Sequence, residues 1–319
     1  MTDQEPTVPM ALPDPVAEDG SALRRYVRRR EVMEATSSVS AAEVIQYDSL
    51  AQHLEHCELS PGAKEMLAGL LRLGRTAIFP GGGAGIEYGS LLKTAARPEH
   101  VGLHIREASQ HLHEQRVDLL VVPGMSGYPV GAMYSVVSGL PAVLLKKQKH
   151  VPGVDAARYP AGSFVIPSYT GEGDVVMSAD LAAMQDIVDG ILTPQLAVQS
   201  GSGPIELSLR VAGADDIIDK ATMSQAVSES ALIVTKAALA RFVARHRFRT
   251  GDSRPVEEDV QVVAWVTPLI KGYNRPHELL RRWFGITPFA GLNVTSVHLD
   301  PPALGIEGLG IVAFAESGT

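Results

Sequence analysis

Residues 117–131 read Val117-Asp118-Leu119-Leu120-Val121-Val122-Pro123-Gly124-Met125-Ser126-Gly127-Tyr128-Pro129-Val130-Gly131. An apolar run of strand length ends in a glycine-containing turn, and a helix is expected from about residue 130 to 138. A strand that stays apolar without alternation is buried on both faces, which is the habit of parallel sheets covered by helices. Upstream, Val101, Ile105, Ala108 and Leu112 recur at helical spacing and predict a helix over residues 99–115. Downstream, Gly139-Leu140-Pro141 closes one helix and residues 142–145 form the next strand. With a short strand at 76–79, the order strand–helix–strand–helix–strand predicts a parallel sheet with right-handed crossovers.

The rest of the chain extends this pattern. Two strand-like stretches around Thr170-Gly171-Glu172-Gly173 suggest a hairpin within residues 163–177. A helix over 181–191, a polar linker at 199–204, a strand at 207–211, a long helix over 223–245 and a last clear parallel strand at 260–266 follow. Residues 289–314 mix apolar runs with Pro and Gly and read as edge strands. At the other end, residues 1–20 are proline-rich and acidic and are expected to be a disordered tail. Residues 21–73 read as an N-terminal helical segment, in which Ser60-Pro61 starts a new helix.

Composition narrows the function classes. The 319 residues are 45% hydrophobic and 20% charged, a globular balance with room for a large core. A net charge of −8 argues against broad nucleic-acid binding. The local exception is Arg24, Arg25, Arg28, Arg29 and Arg30, a basic stripe at helical spacing. It reads first as a solvated helix face or subunit contact, and second as a nucleic-acid or phosphate contact. Cys57 is the single cysteine, no apolar run reaches the length of a membrane span, and no signal pattern opens the chain, so a reducing, cytoplasmic location and no membrane partner are expected.

Four segments at the carboxyl ends of expected strands could carry chemistry, because that edge of an open α/β sheet is where ligands bind. Phe79-Pro80-Gly81-Gly82-Gly83-Ala84-Gly85-Ile86-Glu87-Tyr88 lets backbone approach a ligand, or is simply a flexible loop; it lacks the third glycine of a dinucleotide fingerprint and the Lys-Ser/Thr of a P-loop. The 123–131 turn offers backbone amides to an anion, or serves strand–helix packing. Lys146-Lys147-Gln148-Lys149-His150 suits a polyphosphate, or is a solvated loop. Asp215-Asp216 ends a strand just before a helix: the carboxylates suit vicinal ribose hydroxyls or Mg2+, and Thr222 stands at a helix N-terminus suited to phosphate. The bland alternative makes Asp219 an N-cap and the acidic pair solvated.

Taken in order, these segments resemble the type I phosphoribosyltransferases, and among them the adenine phosphoribosyltransferase family, over roughly residues 74–297. The similarity rests on Phe79-Pro80 with Ser90-Leu91-Leu92, on Asp118 through Gly131, on Gly139 through Lys147 with Pro152-Gly153, on Ser168-Tyr169 with Glu172, on Asp215-Asp216 with Thr222-Met223, and on Lys271-Gly272 and Pro288-Phe289. It implies an α/β fold with a parallel sheet flanked by helices and a small hood, here with an N-terminal helical extension and an insertion at about 186–206 in a 74–319 domain. It further implies transfer of ribose 5-phosphate from phosphoribosyl pyrophosphate (PRPP) to a purine-like or other heteroaromatic base, with Mg2+ screening the pyrophosphate and a homodimer as the assembly. By the same resemblance Asp215 and Asp216 would bind the ribose hydroxyls, Lys220, Ala221 and Thr222 would surround the 5′-phosphate, and Lys147 would meet the pyrophosphate, with Lys146 as a further substrate-binding residue. Ala84, Ile86 and Glu87 would lie beside the base, with Ser126 and Tyr128 in the adjoining turn, and Glu172 would be the acid/base on the hood.

The chain departs from the family pattern in specific places. Met125-Ser126 stands where the family has Ser-Arg, so its arginine is missing. The PRPP loop is one residue short and lacks both glycines, and Asp219 adds a negative charge beside the phosphate site. Two alternatives therefore stand beside the enzyme: a ligand sensor or regulator that kept the fold and lost catalysis, and a transferase using another ribose-phosphate donor.

Overall fold

The computed structural model describes residues 23–26, 39–78, 84–88, 91–92, 97–167, 173–199 and 202–315. The expected disordered tail, Arg28 to Arg30, the glycine run at 79–83 and Ser168, Tyr169 and Glu172 of the hood lie outside them.

Local signals set the element limits. The N-terminal region contributes β1 (Arg24–Arg25), β2 (Val44–Ile45), α1 (Leu50–His56) and α2 (Pro61–Leu73). Ser60 caps α2 by accepting from the Ala63 N–H at 3.1 Å, with Pro61 at the first helical position, where its missing N–H costs nothing. Then come β3 (Arg75–Ile78), β4 (Ala84–Glu87), α3 (Pro98–Glu114), β5 (Leu119–Pro123), α4 (Tyr128–Ser138) and β6 (Ala142–Lys149). The hood strands are β7 (Phe164–Pro167) and β8 (Asp174–Ser178), followed by α5 (Leu181–Ala197), whose N-cap Asp180 accepts from the Ala182 and Ala183 amides. The remainder is β9 (Ile205–Ala214), β10 (Ile217–Ile218), α6 (Thr222–Thr250), β11 (Val256–Lys271), α7 (Pro276–Phe284), β12 (Phe289–Leu299), β13 (Pro302–Ile306) and β14 (Gly310–Ala313).

The central strands run β6-β5-β9-β11-β12, every neighbour parallel. In chain order this is a 2-1-3-4-5 doubly wound arrangement, whose strand order reverses between β5 and β9. β8 and β7 extend the sheet antiparallel beyond β6, and β13 and β14 do so beyond β12. α5 and α6 cover one face: Met184, Val188, Ala226, Val227 and Leu239 pack with Val143, Leu145 and Val211. On the other face α3 and α4 bury Ile105, Leu112, Val130 and Tyr134 against Leu120, Val122, Ala212 and Val266. A third apolar cluster joins α2 to β11, β12 and β13 through Met66, Leu67, Leu70, Leu269, Leu292 and Leu304. The architecture is thus α/β, with a mostly parallel sheet flanked by helices and a small hairpin hood, as expected.

Four expectations are corrected. The strand at 76–79 does not join the parallel sheet; β3 pairs antiparallel with β4 in a separate two-stranded sheet, since a short apolar run does not specify its neighbour. Arg24 and Arg25 are not helical. They pair in parallel with Phe164 and Val165, because Tyr26 packs edge-on against Phe164 at 5.7 Å and Arg24 and Arg25 find Glu229 and Asp174. Lys146 through Lys149 are strand rather than loop: β6 leaves the parallel sheet after Leu145 and its lysine half pairs with β8. The strand at 260–266 is not the last parallel one, because β12 also runs parallel to β11 after the crossover through α7.

Candidate active site at the strand-order reversal

The carboxyl ends of β5 and β9 lie side by side at the reversal point, so the loops that follow them are neighbours at the edge where ligands bind in such sheets. β9 meets β11 in register up to Ala214 opposite Val266, and β10 resumes with Ile217 opposite Leu269. The intervening Asp215 and Asp216 face Thr267 and Pro268. Pro268 has no N–H to continue the ladder, so the chain is released there, after the Asp215 N–H donates to the Val266 carbonyl at 3.2 Å. The acidic pair is thereby held at the end of a rigid strand.

Packing fixes that strand end. Trp265 is fully buried with its ring over Gly213, where a β-carbon would come within 2.2 Å of the ring. Its indole N–H donates to Ser228 Oγ at 2.9 Å, which ties α6 to the sheet just behind the acidic pair.

Both carboxylates are buried, Asp215 at 7% exposure and Asp216 at 1%. The Asp216 N–H donates to Asp215 Oδ1 at 2.9 Å, and the Tyr88 hydroxyl donates to Asp216 Oδ2 at 2.8 Å. Gly127 lies directly against the pair: a β-carbon there would sit 2.8 Å from Asp215 Oδ1. The turn after β5 and the loop after β9 therefore meet. Ser126 is half-buried in that turn. Tyr128 opens α4 and donates to the Leu145 carbonyl at 2.5 Å, linking the turn to β6. Burial pushes the Tyr128 hydroxyl pKa up, and the neighbouring Lys146 charge opposes it.

Strand alternation separates the lysines. Lys146 is on the α4 face with Leu144, exposed and paired with Asp180 at 3.0 Å, whereas Lys147 is on the α6 face with Val143 and Leu145.

The residues between the acidic pair and α6 run Asp219, Lys220, Ala221. Lys220 is half-buried, and Ala221 holds φ 57°, a left-handed conformation that an L-residue adopts only under constraint. Thr222 begins α6, is 6% exposed, and its Oγ1 is buried without a hydrogen-bond partner in the protein. A buried hydroxyl beside the free amides of a 29-residue helix N-terminus is a place for an anion. Asp219 is turned away toward β11, with Lys271 Nζ at 3.3 Å from Oδ2 and Asn274 Nδ2 donating to Oδ1 at 2.7 Å.

The residues expected beside a base lie on β4, where alternation turns Ile86 inward and Glu87 outward. Ala84 begins β4, Ile86 is buried in the apolar cluster with Leu70 and Leu292, and Glu87 is on the surface, bonded to Arg75 at 2.5 Å. The hairpin meets the site through Tyr88 instead. Neither Tyr88 nor Lys271 carries a local sequence signal for this role, since each reaches its aspartate only through the tertiary fold. A groove of about 780 Å3 lies at the opposite end of the sheet, between Gln195, Gln199, Arg254, Glu257 and Asp259; none of the site residues lines it.

No protein-family model and no curated protein matches the chain. Solved structures do match it. Adenine phosphoribosyltransferase from Trypanosoma brucei, in complex with AMP, pyrophosphate and ribose-5-phosphate, is similar at 15% identity over 76% of this chain and 82% of its own, with a TM-score of 0.41. The Giardia lamblia enzyme complexed with 9-deazaadenine is similar at 14% identity over 71% and 96%, TM-score 0.43. Orotate phosphoribosyltransferase from Aeropyrum pernix is similar at 12% identity over 75% and 95%, TM-score 0.33.

Proposed function

We propose that this protein transfers a 5-phosphoribosyl group from PRPP to a small heteroaromatic base. The observation that carries the reading is the junction of the buried Asp215-Asp216 pair with the start of α6, where Thr222 Oγ1 is buried and unpartnered. Carboxylates accept from vicinal hydroxyls, and a helix N-terminus accepts a phosphate, so one loop addresses both ends of a ribose 5-phosphate.

In the reaction the bond from the anomeric carbon to pyrophosphate oxygen breaks, a bond to a ring nitrogen of the base forms, and that nitrogen loses its proton. The transition state carries positive charge at the sugar ring, which the neighbouring Asp215 and Asp216 carboxylates stabilise. The α6 amides, Thr222 and Lys220 hold the 5′-phosphate and so fix the anomeric carbon relative to both partners. Lys147 would supply positive charge for the departing pyrophosphate, while Lys146 lies on the other face of β6, paired with Asp180. Glu172 would take the proton of the base.

Among the described residues no three His, Cys, Asp or Glu side chains converge as a metal cage. Mg2+ fits this site as an ion carried on the pyrophosphate and assisted by one or two carboxylates, a common arrangement for magnesium. There it would neutralise the leaving group.

The test is pyrophosphate release with PRPP, Mg2+ and a panel of purine and other heteroaromatic bases. Base-dependent release in the wild type, abolished in Asp215→Asn/Asp216→Asn, is the expected result. Tight PRPP binding with no turnover on any base would instead favour a ligand sensor.

A further inference from the structure

Asp219 would oppose a phosphate at the start of α6, since it lies three residues before Thr222. β10 pairs with β11 as Ile217 opposite Leu269 and Ile218 opposite Ile270. Continuing the same register places Asp219 beside Lys271. Lys271 is buried at 2% exposure with its Nζ 3.3 Å from Asp219 Oδ2, and the Asn274 amide donates to Oδ1 at 2.7 Å. Each carboxylate oxygen of Asp219 thus has a partner on the β11 side. A lysine this buried is uncommon without a paired charge, so the contact is a specific feature of this loop.

We infer that Lys271, with Asn274, is a positioning residue: it neutralises the Asp219 carboxylate and holds it out of the phosphate site at the α6 N-terminus. The inference rests on the proposed phosphate site and explains how a PRPP-binding loop can carry an extra acid. The strand register does the work that a glycine-rich loop would do by leaving the acid out.

Ribose 5-phosphate tests this with no need for Mg2+ or a base. Binding is measured by calorimetry for the wild type, Asp219→Asn, Lys271→Met and Asp219→Asn/Lys271→Met, with thermal melts on each. Lys271→Met should weaken binding by roughly tenfold or more, as the bared carboxylate repels the phosphate. Asp219→Asn should tighten it by a few-fold, and the double variant should return to within about threefold of the wild type. A purely structural role for the pair would lower melting temperatures without this recovery of affinity. If Lys271→Met does not fold, Asp219→Asn and the double variant still decide. Unchanged affinity in Asp219→Asn, or a double variant roughly tenfold or more weaker than the wild type, overturns the inference. Absence of binding in the wild type to ribose 5-phosphate and to PRPP alike would instead overturn the proposed function.

Discussion

The Tyr88 hydroxyl donates a 2.8 Å hydrogen bond to Asp216 Oδ2 across a separation of 128 residues, joining the end of the β3–β4 hairpin to the acidic loop. Both side chains are buried, so the carboxylate loses a donor that water does not readily replace. Tyr88→Phe should lower the stability of the fold by about 1–2 kcal/mol. Urea denaturation with an unchanged slope checks this; an unshifted midpoint would show the bond contributes nothing.

Gly127 sits where a β-carbon would approach Asp215 Oδ1 and the Pro123 carbonyl at 2.8 Å. Gly127→Ala should displace the carboxylate and reduce PRPP affinity roughly tenfold, because small displacements of a positioning group are felt strongly. Gly203→Ala is the control, with nothing within 4 Å of its new methyl, and should bind PRPP as the wild type does.

Ala221 holds its left-handed backbone at 2% exposure. An L-residue there costs about 1–2 kcal/mol relative to glycine, partly offset by the freedom glycine adds to the unfolded chain. Ala221→Gly should stabilise by roughly 0.5 kcal/mol, and Ala221→Val should destabilise by about 2 kcal/mol or more. Denaturation midpoints of the two variants should move in opposite directions.

His104 is fully buried, accepts or donates at Nε2 with the Tyr134 hydroxyl at 2.8 Å, and stacks against Phe289 at 5.9 Å. Burial pushes its pKa down to about 4 from 6.5. Between those values the unfolded chain binds the extra proton and the fold does not. Stability is therefore complete above pH 6.5 and falls as pH drops toward 4, by about 3 kcal/mol in all. His104→Gln should lack this part of the acid decline; an identical pH profile in the variant would assign the decline to other groups.

The sequence made the sheet legible where apolar runs are long. β5, β9, α3 and α6 stand close to where periodicity places them, because burial on both strand faces or along one helix stripe leaves a direct pattern. The acidic pair, the helix N-terminus after it and the glycine turn facing it were also readable, since strand ends of a doubly wound sheet collect ligand loops. What was not readable is pairing. Residues 146–149 are hydrophilic because their strand has left the covered sheet, which mimics a loop in sequence. The β3–β4 hairpin and the strand at Arg24–Arg25 depend on partners far along the chain. Tyr88 and Lys271 meet their aspartates only through tertiary contacts, and no local spacing announces them.

The most direct measurement of the central claim is calorimetric titration of the full chain with PRPP and Mg2+, beside the Asp215→Asn/Asp216→Asn variant. Saturable binding by the wild type, lost in a variant that still melts cooperatively, is the predicted result and puts the phosphoribosyl site at the β9–α6 junction. Equal binding by both proteins, or none by the wild type, would contradict it.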